Sequence, residues 1–122
     1  MVGAFHSVFG WVVVGLCALS GLYGIILAAA KRTPGGFFRG AMTVAVAALL
    51  LQVVLGVASM NLEERDPGNQ HLFYGVVAAT TLGFAYIYRI QFSRRPALYY
   101  GLLMLFLMGL AIRGIMTFGN NF

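Results

Sequence analysis

The chain has 122 residues, of which 61% are hydrophobic and 9% charged; a soluble domain of this length carries about a quarter charged residues. That balance excludes a water-soluble globular fold, and a lone cysteine, Cys17, excludes an internal disulfide. The net charge of +5 resides in basic residues that flank apolar runs, which indicates membrane orientation rather than nucleic-acid binding.

A membrane-spanning helix needs about 20 mostly apolar residues, and four runs qualify: 5–30, 38–60, 71–90 and 96–118. The first opens with "AFHSVFGWVVVG" and His6. It lacks a basic leader and is too long for a signal peptide, so it is expected to be retained. Cys17, among Leu16, Ala18 and Leu19, reads as a small apolar core residue. The break "KRTPGGFFRG" ends this run. The second run carries "LQVVLG" with Gln52 and ends at "NLEERDPGNQ". The third opens with "NQHLFYGVVAATT" and His71 and ends before "SRRP". The fourth carries one cation, Arg113, in "LAIRGIM". Runs so long and uniformly apolar do not suit barrel strands. The expected fold is therefore all-α: one integral membrane domain over residues 1–122, an antiparallel four-helix bundle joined by short loops.

Six of the eight basic residues fall in the first and third loops: Lys31, Arg32, Arg39, Arg89, Arg94 and Arg95. The second loop holds Glu63, Glu64 and Asp66 against Arg65. Basic loops favour the cytoplasmic side. The expected location is a bacterial-type inner (plasma) membrane, with both termini and the acidic loop outside (periplasmic).

His6 and His71 are the only histidines, and each opens a run on the outer side. In an up-down bundle the first and third helices are diagonal neighbours, so both imidazoles lie at one depth and can ligate one haem iron from opposite faces. "HSVFG" and "HLFYG" share H-x-x-x-G, which puts Gly10 and Gly75 one turn from the ligands, on the same face. Taken singly, each glycine fits close helix approach better; the repeat at matched depth favours space for a flat macrocycle. Pro34 with Phe37 and Phe38 is matched by Pro96 with Tyr99 and Tyr100, so the two hairpins read as a pseudo-two-fold repeat. Arg113, a charge within a span, is a functional-site residue by default and is assigned to a haem propionate; snorkelling to headgroups is the alternative. Gln52 either joins it there or bonds between helices. Phe9 and Phe73 read as core filling, and the remaining aromatics as interfacial belt.

Residues 51–78, "LQVVLGVASMNLEERDPGNQHLFYGVVA", resemble the haem A synthase family. Gln52, Leu55 and Gly56 match its Leu-Gln-x-x-Leu-Gly motif, and His71 matches the histidine that opens the next helix. His6 lies where the family's other histidine would, with Ser7 in place of an arginine. The resemblance covers residues 5–90. It implies a bis-histidine b-type haem held by a four-helix half of that enzyme. Residues 1–5 hold neither the family's outer-loop glutamate nor its cysteine pair, so haem A synthesis itself is not expected.

The leading expectation is a membrane b-type haem protein or subunit that transfers electrons near the outer face. Its partners would be membrane lipid and other subunits of a respiratory or photosynthetic complex, with no nucleic acid and no soluble substrate. The alternative is a structural or chlorophyll-type pigment-binding subunit. An enzyme or transporter ranks third, since no acid lies within a span, and the absence of C-x-x-C-H excludes covalent haem.

Overall fold

The computed structural model describes residues 2–64 and 66–121. Four long helices and one short one account for most of them: α1 (Val2–Ala29), α2 (Gly36–Leu62), α3 (Asn69–Ile87), α4 (Arg89–Phe92) and α5 (Pro96–Met116). There is no strand among the described residues.

The helix ends follow local chemistry. α1 stops where Lys31 turns left-handed at φ 58° and the Arg32 amide reaches back to Leu27 O at 2.9 Å. This is a Schellman end, in a position glycine usually fills. α5 opens on Pro96, whose fixed φ suits a first helical turn and whose missing N–H would have no partner there. α3 follows Gly68 at φ 84°. A Cβ at Gly68 would run into the Asn120 backbone, so both the backbone angle and the space demand glycine.

The third expected run is not one helix. α3 ends at Ile87 and the chain turns at Tyr88 before α4. There Arg89 Nη1 donates to Tyr86 O at 2.9 Å and its guanidinium lies 4.4 Å from the Tyr86 ring centre. Three helices, α1, α2 and α5, are long and apolar enough to cross a membrane. The shorter α3 starts with Asn69, Gln70 and His71 and carries Thr80 and Thr81, which dilute its apolarity.

α1 packs extensively on α5 and α2, α5 packs on α3, and α2 and α3 hardly touch. Small residues explain the tight side. A Cβ on Gly24 would sit 2.7 Å from Ala97 O, and one on Gly101 would sit 3.1 Å from Gly21 O. Backbones approach that closely only where side chains are missing. The core consists of Val13, Cys17, Ala45, Ala48, Leu49, Ala78, Met104 and Leu107. Outward faces carry Val8, Leu19, Ile26, Val54 and Val76 fully in view, a surface that suits hydrocarbon rather than water.

Near the His6 end the chain is strapped together. Gly119 N donates to Pro67 O at 2.7 Å and Gln70 N to Asn120 O at 3.2 Å. Gly3 N donates to both carboxylate oxygens of Glu63, at 3.1 and 3.3 Å. Residues beyond α5 and the start of α1 thus both hold the α2–α3 connection.

Candidate functional site

His6, in the second turn of α1, and His71, in the first turn of α3, are brought together. Their ring centroids are 5.9 Å apart and the ring planes meet at 84°. That separation lies in the range of about 4.5–7 Å at which rings meet edge to face, and it is also near the roughly 6 Å of two imidazoles on opposite sides of one metal ion with bonds of about 2 Å.

Each ring has a specific seat. His71 Nδ1 lies 2.6 Å from Gly114 O on α5. A carbonyl oxygen only accepts, so Nδ1 carries the hydrogen and Nε2 of the neutral ring keeps its lone pair. Metal-binding histidines are held in this way, with the second ring nitrogen donating to a backbone carbonyl. Phe118 packs edge-on against His71, at 5.1 Å between ring centres. His6 lies against Gly56 of α2, where a Cβ would come within 3.0 Å of its Cε1. Gln52, one turn earlier on α2, donates Nε2 to His6 O at 2.6 Å.

A cavity of about 240 Å³ adjoins both rings. Its walls come from α1, α2, α3 and α5 and are almost wholly apolar, with Val13, Leu49, Val53, Ala78 and Leu110 among them. The wall is thin where α2 and α3 stand apart. Within it, Gln52 Oε1 is buried without a hydrogen-bond partner. Buried acceptors are rarely left so, and a ligand or water that donates would complete this one.

The sequence-derived residues fall unevenly around this cavity. Gly75 lines it and faces open space. Gly10 lines it too, but a Cβ there would meet Gln52 Nε2 at 3.2 Å and Ile115 at 3.5 Å, so its missing side chain serves these neighbours first. Gln52 already spends one amide hydrogen on His6 O, which is bonding between helices; its second N–H remains. Arg113 is exposed and stands outside the cavity wall. Its Nε donates to Tyr74 OH at 3.4 Å and its guanidinium carbon lies 5.7 Å from that ring centre, and Tyr74 lines the cavity. Phe9 packs on the core, while Phe73 is exposed and meets Tyr74 edge to face.

Sequence reasoning missed Gly114 and Phe118 as the seat of His71, and took Gly56 as a motif letter without a task. The signal for Gly114 was faint: a glycine in α5 at the outer end, next to Arg113. Among the described residues no three of His, Cys, Asp and Glu gather as a metal site; His6 and His71 meet as two rings in contact.

The donor set suits a metal tetrapyrrole: two imidazoles, one of them tautomerically fixed, adjoin an apolar cavity with a glycine facing free space. The cavity itself, about 240 Å³, is smaller than the roughly 300–1,000 Å³ of ordinary ligand pockets. No family model, characterised protein or solved structure matches this chain.

Proposed function

We propose that the chain is an integral membrane protein that holds one b-type haem between His6 and His71 and passes electrons. The observation that carries this reading is the imidazole pair, 5.9 Å between centroids, beside an apolar cavity. His6 and His71 together would hold the group, which would supply one-electron chemistry.

The chain's own residues bind and orient. Gly114 O holds His71 with Nε2 available. Gly56 leaves room for the His6 ring, and Gln52 ties that turn of α1 to α2. Gly75 and Gly10 keep the wall beside the rings low. Arg113, held by Tyr74, supplies positive charge near the rim for a propionate, and Gln52 adds its second N–H.

The same reading takes the helices as an antiparallel four-helix bundle of two diverged hairpins, α1–α2 and α3–α5. Each hairpin seats its histidine on a glycine of the following long helix: His6 on Gly56, His71 beside Gly114. The close α1–α5 crossing has no counterpart between α2 and α3, so the repeat has diverged most at the cavity's open side. By its basic loops the protein belongs in a bacterial-type inner membrane with the histidines near the outer face, where it would serve other subunits of a respiratory or photosynthetic complex.

A second reading is a structural subunit, which the cavity's size favours, or one that holds a chlorophyll-type pigment. About 240 Å³ falls below the roughly 300–1,000 Å³ of ordinary ligand pockets, so a haem or a chlorophyll-type ring there would equally need cover from a neighbour at the α2–α3 gap.

The test is a reduced-minus-oxidised spectrum of the purified protein with pyridine haemochrome analysis. Sharp reduced visible bands of haem b are expected, and near-infrared absorption would establish the second reading instead. His6→Ala and His71→Ala should each abolish haem retention or leave a five-coordinate site. An unchanged low-spin spectrum in both would refute ligation by this pair.

A further inference from the structure

At the end remote from the histidines, the α1–α2 turn and the α4–α5 turn meet around a second cavity, of about 420 Å³. Lys31 and Arg32 reach it from the first turn, Arg94 and Arg95 from the second. All four are exposed. The acids of the chain, Glu63, Glu64 and Asp66, lie beyond the far end of α2, about 40 Å away along a 27-residue helix. Four cations drawn together with no carboxylate near them repel one another, and an anion among them would relieve that.

Two further observations point to a phosphate with an apolar body. The cavity's remaining wall is largely apolar, with Ala28, Pro34, Ala97 and Leu98 beside the cations. The α5 N-terminus opens here with no side-chain cap, so its first N–H groups and the positive end of its dipole are free for an anion. A free phosphate would use the cations and leave the apolar wall bare.

We infer that this cavity binds the phosphate headgroup of an anionic phospholipid from the adjoining leaflet, its acyl chains running down past Ala28 and Leu98. Basic pockets between transmembrane helices recognise such headgroups. The site is independent of the histidine pair and stands whether or not haem is present.

The experiment uses the full chain in phosphatidylcholine nanodiscs doped with spin-labelled cardiolipin or spin-labelled phosphatidylcholine. Electron paramagnetic resonance reads the immobilised fraction of each label. A preference for cardiolipin is expected, falling about fivefold for each cation removed in Arg32→Gln/Arg94→Gln. Arg39→Gln/Arg89→Gln removes the same charge from the same end but outside the cavity, and should leave the preference intact. Arg32→Lys/Arg94→Lys should keep most of it and controls for folding. Equal losses in the two glutamine variants would overturn the site in favour of diffuse surface charge. Displacement of the label by millimolar inorganic phosphate at constant ionic strength would overturn the lipid assignment in favour of a free anion.

Discussion

The hydrogen on His71 is placed by a neighbour that cannot donate. Gly114 O, 2.6 Å from Nδ1, decides the tautomer and so decides which nitrogen faces a ligand. Glycines around the pair act differently, and substitution separates their roles. Gly75 lines the cavity and a Cβ there has nothing within 4 Å, so the side chain of Gly75→Leu would take up cavity space. It should weaken haem binding roughly tenfold or more, as inserted bulk does in a filled site, while the unfolding midpoint barely moves. Gly15 also has no neighbour within 4 Å but does not line the cavity, so Gly15→Leu should leave haem titrations unchanged. Equal losses in both variants would mean the glycines matter for helix packing alone. Gln52→Leu removes one 2.6 Å bond to His6 O but also the buried, partnerless Oε1. The two effects oppose, and the net cost in stability should be about 1 kcal/mol or less, read by denaturant unfolding in detergent.

At the scale of the element, the α1–α5 crossing is the most extensive helix contact among the described residues, and glycines let it close. Gly24→Ala would place a Cβ 2.7 Å from Ala97 O and 2.9 Å from Gly101 Cα, both backbone atoms that cannot swing aside. The helices would separate, costing about 1–3 kcal/mol or more. Gly109→Ala on α5 meets nothing within 4 Å and should be neutral or mildly stabilising, since alanine is the better helix former. Thermal unfolding of the two variants side by side checks this, and equal destabilisation would contradict the packing described. Gly21 also belongs to this crossing, with a Cβ there 2.7 Å from Leu105, so changes at Gly21 disturb the whole structure as well as the site. α3 is the weakest apolar element; its polar opening, Asn69 and Gln70, bonds residues 120 and 121 instead of extending the helix outward.

For the whole molecule, the charge map is one-sided. Lys31, Arg32, Arg94 and Arg95 line one end, and Glu63, Glu64 and Asp66 lie in or beside the segment next to the histidines. If basic loops face the cytoplasm, an impermeant thiol reagent on intact cells should label Asn61→Cys and spare Arg39→Cys. Both positions are exposed, and the native Cys17 is buried in the core and should give little background. The opposite labelling pattern would invert the molecule and place the histidine pair toward the cytoplasm.

Composition and run length determined by themselves that the chain is helical and membrane-like, because hydrocarbon tolerates only backbones whose hydrogen bonds close within the segment. His6 and His71 were legible as a pair for a related reason: polar side chains in apolar runs are few, and two at the same offset in like motifs stand out. The α3–α4 break at Tyr88 was not legible, since Tyr86, Tyr88 and Ile90 are compatible with a helix and only the turn toward α5 decides where it ends. Nor were the seats of the histidines. Gly56 lies 50 residues from His6 and Gly114 lies 43 from His71, and glycine carries no chemical signature until two helices cross. The convergence of four cations at the far end was likewise invisible as a site, because the sequence shows two separate basic turns. The sequence set which residues are costly in a membrane; tertiary packing decided which of them meet, since that depends on small residues that let α1 and α5 close while α2 and α3 stay apart.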